Sequence, residues 1–386
     1  MASSLLQRLV AGLPVWLRRS LKALPGTRAL RDRLYGTPAA IRPQPGTPRP
    51  VVYLPTWLEW DVMKQRPQNL LEALARAGHP VWFVDPRLDH AEHRAPGIDL
   101  VPTLTDTPES DVILYTHFAL TRTLIDRYEN PAVVYDILDD LSIYDPDEVG
   151  MPTERRVRTH HGPLVARADV VIASSTVLAD KHRGERDDIL LVENGVDTGL
   201  FRPRDDLRAG DPPVIGYHGV IAPWFDFAKV VILARTRPDY RISLVGPVKP
   251  EVSEEYERLV RLPNVRHIGH QPAEKVAELV AGFDVGLIPR LLDEVTAGMK
   301  PLKMLEYLAA GVPVVATPIA ACVAHPGVRT GATPEEFAGE VDAALAMSPE
   351  QRRGLRRYAE EESWGRTVAP LLERLDELGL RLVPAS

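Results

Sequence analysis

Eleven short, β-branched-rich apolar runs lie along residues 51–316 with helical patterns between them, and this alternation narrows the fold of the chain more than any other feature. Such runs separated by helices predict parallel strands joined by crossover helices. The first half supplies Val51–Leu54, Val81–Val84, Val112–Tyr115, Val133–Asp136, Val170–Ala173 and Ile189–Val192. Between the first two, Pro67–Ala77 reads as a helix, with proline in its first turn and Gly78 closing it. The second half repeats the style with Val214–Tyr217, Ile242–Val245, Val265–Ile268, Val285–Ile288 and Val314–Ala316, and with helices over Glu274–Ala281 and Leu302–Ala310. Pro, Asp, Arg and Gly cluster at Phe201–Pro213, which marks a boundary. The expectation is an α/β chain of two domains, 49–200 and 201–365, with an extension at 1–48 and a closing segment at 366–386. Open parallel sheets bind ligands beyond the carboxyl ends of their strands, so a cleft between two such domains is the expected site.

At 386 residues, 45% hydrophobic and 26% charged, the chain is neither collagen-like, disordered nor a disulfide scaffold. No apolar run approaches the ~20 residues a spanning helix needs. Cys322 is the sole cysteine and has no internal partner, which fits a cytoplasmic protein. The net charge of −7 is uneven: residues 1–50 carry nine Lys/Arg against Asp32 alone, a net +8, and the rest carries −15. An acidic body speaks against a nucleic-acid partner. In residues 4–24, Leu5, Leu6, Leu9, Leu13, Trp16, Leu17, Leu21 and Leu24 recur at helical spacing among Arg18, Arg19 and Lys22. This pattern suits peripheral binding to an anionic inner membrane face through residues 1–35, and equally a helix packed on the protein's own body. Pro14 would kink it, and its interrupted apolar positions do not make a secretory signal. Thr37–Pro50, rich in proline, reads as a linker.

The chemistry concentrates in AGMKPLKMLEYLAAGVPVVATP, residues 297–318. Pro301 suits a helix start, Gly311 a C-cap, and Val314–Ala316 a returning strand. Lys303 and Glu306 share one face near the helix N-terminus, where unpaired N–H groups favour phosphate. A lysine there can neutralise a pyrophosphate, and a carboxylate one turn on can hold ribose hydroxyls; a surface ion pair is the plain alternative. Gly219, after the strand at 214–217, would let backbone approach a diphosphate, or simply make a tight turn.

Other polar groups are less specific. YDILDDLSIYDPD (135–147) places Asp136, Asp139, Asp140, Asp145 and Asp147 after a strand; Asp-Pro-Asp is first a turn, and Asp136 or Asp139 is a candidate contact for an acceptor hydroxyl. His117 and His218 stand at strand ends, as a base or polariser or as plainly hydrogen-bonded residues. His160 and His161 lack the spacing of a helical zinc pair and no Cys/His ligand set is apparent, so no metal site is expected. No Walker motif and no Gly-x-Gly-x-x-Gly follows any strand.

The 297–318 segment resembles the donor-binding element of retaining, family 4-like glycosyltransferases with the GT-B fold. PLKMLEY resembles a Pro-x-Lys-x-x-Glu-Tyr variant of that element, with AAGVPVVAT following it. The first of the family's two glutamates would fall at Gly298, leaving Glu294 or Thr296 as substitutes for holding the donor sugar. VENGVDTGLF (192–201), VIGYHGVIAPWFD (214–226) and PNVRHIGHQPAEKVAELVAGFDVGLIP (263–289) resemble further parts of the same family. TWLEWDVMKQRPQNLLEALARAGHPVWFVD (56–85), SSTVLADKH (174–182) and ESWGRTVAPLLERL (362–375) do so as well.

The resemblance implies two Rossmann-like domains, acceptor in the first and nucleotide-sugar donor in the second, with the terminal helix crossing back to the first. It implies donor contacts at His218, Gly219, Val220, His270, Gln271, Thr296, Pro301 and Leu302, and acceptor contacts at Trp57, Trp60 and Arg66, where the aromatics would stack on sugar or merely pack. Lys303, Glu306, Asp136 and His117 are the catalytic candidates. The implied activity is metal-independent, retaining transfer from a nucleotide-diphosphate sugar to a glycan or lipid-linked hydroxyl, without a cofactor. A nucleotide-sugar epimerase and a silent nucleotide-sugar-binding scaffold are the alternatives.

Overall fold

The computed structural model describes residues 35–56, 58–62, 64–141, 154–204, 211–293, 296 and 298–384. The amphipathic arm, Trp57, Asp145, Asp147 and Glu294 lie outside the described residues. The chain divides into two compact units. The first comprises residues 1–60, 70–192 and 368–386, and the second residues 61–69 and 193–367.

The first unit is built on an eight-stranded sheet: β1 (Val51–Tyr53), β2 (Val81–Val84), β3 (Glu92–Ala95), β4 (Ile98–Val101), β5 (Ile113–Thr116), β6 (Ala132–Ile137), β7 (Val170–Ala173) and β8 (Leu190–Leu191). Their order is β3-β4-β2-β1-β5-β6-β7-β8, and only β3 runs antiparallel to its neighbour. Strand order reverses between β1 and β5, the point where open α/β sheets leave a crevice. Helices Glu154–Arg167, Thr176–His182 and Ala369–Glu377 cover this sheet, the last packing against β7 and β8.

The second unit holds β9 (Val214–His218), β10 (Arg241–Val245), β11 (Val265–Gly269), β12 (Val285–Ile288), β13 (Val314–Ala316) and β14 (Val328–Thr330). All pairings are parallel, in the order β11-β10-β9-β12-β13-β14. This is the doubly wound Rossmann order, with its switch point between β9 and β12. Side-chain alternation explains why helices cover both faces. Val314 and Ala316 enter one core with helices Leu302–Ala309 and Pro349–Glu361, whereas Val315 enters the other with Phe227–Thr236 and Pro334–Leu345. The two α/β units agree with the expected fold class.

Most predicted strands appear within one residue of their expected ends. Three strands were not anticipated. β3 is a polar, largely exposed edge, β4 follows it directly, and β14 is a three-residue edge with Arg329 exposed. None carries the long β-branched run that marks a central strand.

Candidate functional site

At the switch point of the second unit, Gly216 on β9 pairs in register with Gly286 on β12. A Cβ on Gly216 would lie 2.0 Å from the Phe283 ring, and one on Gly286 would lie 2.5 Å from the Tyr307 ring. The missing side chains therefore let two large rings sit directly on the sheet. Tyr307 is completely buried, and its hydroxyl accepts from the His218 backbone N–H at 3.1 Å. That anchor seats helix Leu302–Ala309 against the end of β9 and brings its first turn to the loop that follows.

Pro301 is the N-cap of this helix, one position before the expected first turn, and offers no side-chain cap to the leading N–H groups. These donors thus point outward without a capping side chain. Lys303 lies against the Gly219 loop. Its Nζ is 4.4 Å above the Tyr217 ring centroid and 3.3 Å from the Tyr217 hydroxyl. Tyr217 in turn donates to the Val220 carbonyl at 2.7 Å, which fixes the loop's shape. Gly219 has φ +128°, a conformation that L side chains rarely adopt.

The electrostatics favour an anion. Burial first, and then the Arg290 guanidinium, pull the Lys303 ammonium down from its ordinary value to about 7, with Glu306 opposing them. Among the described residues Lys303 forms no ion pair. Arg290 follows β12, with its guanidinium 5.1 Å from the Trp224 ring centroid and its backbone N–H bonded to Thr317 Oγ1. Lys303 thus stands beside a helix N-terminus and a glycine loop where the strand order reverses, with the Arg290 charge acting on it from the end of β12. That combination can bind a diphosphate and stabilise charge accumulating on it. Glu306, one turn on, places Oε2 3.1 Å from His218 Nε2.

The remaining donor candidates are spread more widely. His270 Nε2 is 2.6 Å from the Val62 carbonyl, and Gln271 Nε2 donates weakly to Ile268 O at 3.4 Å. Thr296 is fully buried, and its hydroxyl is engaged in its own loop: it accepts from Asp293 N at 2.8 Å and contacts the Asp293 and Leu291 carbonyls. It therefore acts as a loop clamp, which differs from the expected exposed substitute for a glutamate. Leu302 opens the helix, partly buried. A cavity of about 340 Å³ lies at the opposite, amino ends of β9–β11, away from these groups.

In the first unit, several candidates gather at the carboxyl ends of the strands around Tyr53. The Tyr53 hydroxyl is 3.0 Å from His117 Nδ1 and 3.1 Å from Thr56 Oγ1. Tyr53 stacks on Phe83 at 4.7 Å, and Trp60 meets the same ring edge-on at 5.2 Å. Asp136 is fully buried, and Tyr115 donates to its Oδ2 at 2.6 Å. This carboxylate, the candidate contact for an acceptor hydroxyl, anchors Tyr115 within the sheet layer. Arg66, expected among the acceptor contacts of the first domain, falls in the second unit. It opens helix Arg66–Arg76, is 1% exposed, and donates to Asn194 Oδ1 at 3.3 Å. Asn194 passes this on to the Lys300 carbonyl at 2.8 Å.

Arg290 and Tyr217 were not singled out from the sequence, and Tyr307 entered only as the closing residue of PLKMLEY. Arg290 had one available signal: it stands just beyond the carboxyl end of a predicted strand, VGLIPR.

Residues 212–347 match the family model described as "Glycosyl transferases group 1". Over 164 residues the chain is 33% identical to the "Putative teichuronic acid biosynthesis glycosyltransferase TuaH" of Bacillus subtilis (strain 168). That alignment spans 40% of this chain and 41% of the relative's length, so the likeness is to about two-fifths of that protein. Among solved structures, sucrose-phosphate synthase from Thermosynechococcus elongatus is similar with a TM-score of 0.65 at 17% identity, covering 86% of this chain and 99% of that one. HepE from Anabaena, in a complex with UDP and glucose, gives a TM-score of 0.61 at 14% identity, covering 85% and 100%. At those identities the structural neighbours carry the fold alone. The family match thus lies within residues 212–347, the glycosyltransferase relative is matched over two-fifths of this chain, and the structural neighbours share its two-unit α/β fold.

Proposed function

We propose that this chain transfers a sugar from a nucleotide-diphosphate donor to a hydroxyl of a glycan or lipid-linked glycan acceptor. The observation that carries the proposal is Lys303 held against the Gly219 loop, beside the start of helix Leu302–Ala309 that no side chain caps. The bond between the anomeric carbon and the diphosphate oxygen breaks, and the acceptor oxygen bonds to that carbon. The acceptor proton ends on the departing diphosphate. Lys303, Arg290, the leading N–H groups of helix Leu302–Ala309 and the Gly219 backbone stabilise the charge on the leaving group. Since these groups supply the positive charge, the proposed reaction runs without a metal at the phosphates. It proceeds with retention, as the family resemblance implies. Glu306 holds the ribose, its Oε2 standing 3.1 Å from His218 Nε2. The likeness to TuaH supports a polysaccharide-type acceptor, and the fold shared with HepE, solved with UDP and glucose, is compatible with a nucleotide-sugar donor.

The test is thermal unfolding of the purified chain against a panel of nucleoside diphosphates and their sugars. Ligand at about 100 times its Kd stabilises by ~2.7 kcal/mol, a readable shift. The expected result is a shift with one base family that is abolished in Glu306→Ala and Lys303→Ala, followed by sugar transfer from that donor. A shift without transfer to any acceptor would leave a binding scaffold. NMR showing conversion of the donor sugar in the absence of acceptor would replace the proposal with an epimerase.

A further inference from the structure

We propose that His161, His182 and Glu185 in the first unit form a site for a nitrogen-preferring divalent cation of the zinc class. The two histidines come from two helices, and Glu185 from the turn that follows the second. Along Glu154–Arg167, Val157, His161, Leu164 and Val165 share the inward face, so His161 is 3% exposed. His182 closes helix Thr176–His182 and is 2% exposed. The chain then turns, with the Glu185 N–H donating to the His182 carbonyl at 2.9 Å, which brings the Glu185 carboxylate back over the ring.

His161 Nε2 and His182 Nδ1 are 3.1 Å apart. Glu185 places Oε2 3.1 Å from His161 Nε2 and Oε1 3.0 Å from His182 Nδ1. Among the described residues this is the one His/Cys/Asp/Glu group whose ligand atoms converge in this way.

Proton counting shows what the triangle lacks. Three close contacts each need a hydrogen along their edge, but two neutral imidazole nitrogens bring at most two, and the carboxylate brings none. If both ring nitrogens donate to Glu185, they face one another as two N–H groups. If one donates to the other, a lone pair is left opposite the carboxylate. A cation at the centre takes one lone pair from each atom and removes the conflict. The edges agree with this: tetrahedral zinc with bonds of ~2.0–2.1 Å requires ligand separations of about 3.3–3.4 Å, a few tenths more than observed.

One outer contact fits as well. The Tyr135 hydroxyl lies 2.8 Å from His161 Nδ1, the outer-shell hydrogen bond that fixes the tautomer of a metal-bound histidine. His182 has no such outer bond, its Nε2 being buried without a hydrogen-bond partner. Glu185 is 40% exposed, which leaves the fourth position to water. Imidazole and carboxylate ligands suit zinc and its neighbours over magnesium or calcium. The cation would tie the Glu154–Arg167 helix to the end of Thr176–His182, a structural duty separate from the transfer chemistry.

The test uses the tag-free full chain, loaded with excess Zn²⁺ and dialysed, with metal counted by mass spectrometry and Co²⁺ substituted for spectroscopy. The expected result is about one zinc per chain, a Co²⁺ visible spectrum of tetrahedral intensity, and a Tm about 5 °C higher than after chelation. Glu185→Gln, at a half-exposed position where folding should be retained and is checked by circular dichroism, should lose at least tenfold in zinc affinity. His182→Gln should lose zinc outright. Less than about a tenth of an equivalent on the wild-type chain overturns the proposal, as does equal zinc affinity in wild type and Glu185→Gln.

Discussion

A Cβ on Gly219 would stand 2.5 Å from Lys303 Nζ. The ammonium and the loop backbone therefore share one small volume, and neither can change without the other. Gly219→Ala adds a methyl group there and also strains a residue held at φ +128°. The flexible lysine end would swing away, so the main loss is functional. Nucleotide affinity and transfer rate should each fall at least tenfold, with a stability cost of about 1–3 kcal/mol from the backbone strain. Calorimetric titration with the cognate nucleoside diphosphate, beside a urea melt, separates the two effects. Unchanged affinity would mean that Lys303 does not work through this loop.

Lys303 also sets a pH signature. Burial, then Arg290, hold its folded-state pKa at about 7, below the ordinary 10.5. Between those values the unfolded chain binds a proton that the folded one does not. The destabilisation is therefore full below about pH 7 and fades as pH rises towards 10.5. Lys303→Met should raise the Tm of the ligand-free protein more at pH 6 than at pH 9, while abolishing nucleotide binding at both. An equal gain at the two pH values would show that the lysine is not desolvated.

Tyr307 supports the site without being exposed to it. Its hydroxyl accepts the His218 N–H at 3.1 Å and reaches the Leu287 carbonyl at 3.4 Å, linking the ends of β9 and β12. Tyr307→Phe keeps the ring over Gly286 and removes only the oxygen. A cost of about 1 kcal/mol is expected, read as a lower urea midpoint for the second unit's transition. Nucleotide affinity should weaken severalfold as the Leu302–Ala309 helix loses its anchor. A variant with wild-type midpoint and affinity would remove Tyr307 from this account.

The legible part of the structure follows from local patterning. β-Branched runs are long and apolar only where a strand is buried on both faces, so β1, β2 and β12 stood out, whereas β3, with His93 and Arg94 exposed, did not. The Lys303–Glu306 spacing was likewise visible, because residues three apart on a helix share a face. The Arg290 charge acts on Lys303 because β9 and β12 are neighbours at the point where the sheet reverses order, which no sequence spacing encodes. The same holds for His161 and His182. Twenty-one residues separate them, and it is the packing of two helices on β6 and β7 that sets their rings 3.1 Å apart. The Tyr115–Asp136 hydrogen bond was illegible for a related reason, since it joins side chains of two neighbouring strands that lie 21 residues apart.

The Arg290 charge acts on Lys303 in two opposing ways, and one variant separates them. Arg290 lowers the Lys303 pKa in the free protein, yet it adds a second positive charge for a bound diphosphate. Arg290→Gln should therefore weaken nucleotide binding at pH 6, where Lys303 is charged in both proteins. It should also move the alkaline fall-off in affinity upward, because Lys303 then keeps its proton to a higher pH. Losing the guanidinium from the Trp224 face, 5.1 Å away, adds a small stability cost of about 0.5–1 kcal/mol. Titrations of the cognate nucleoside diphosphate from pH 5.5 to 9 in both proteins would read affinity and midpoint together. A weaker affinity with an unshifted midpoint would keep Arg290 at the phosphates but deny its influence on Lys303. A shifted midpoint with unchanged affinity at pH 6 would place its charge near the lysine and away from the ligand.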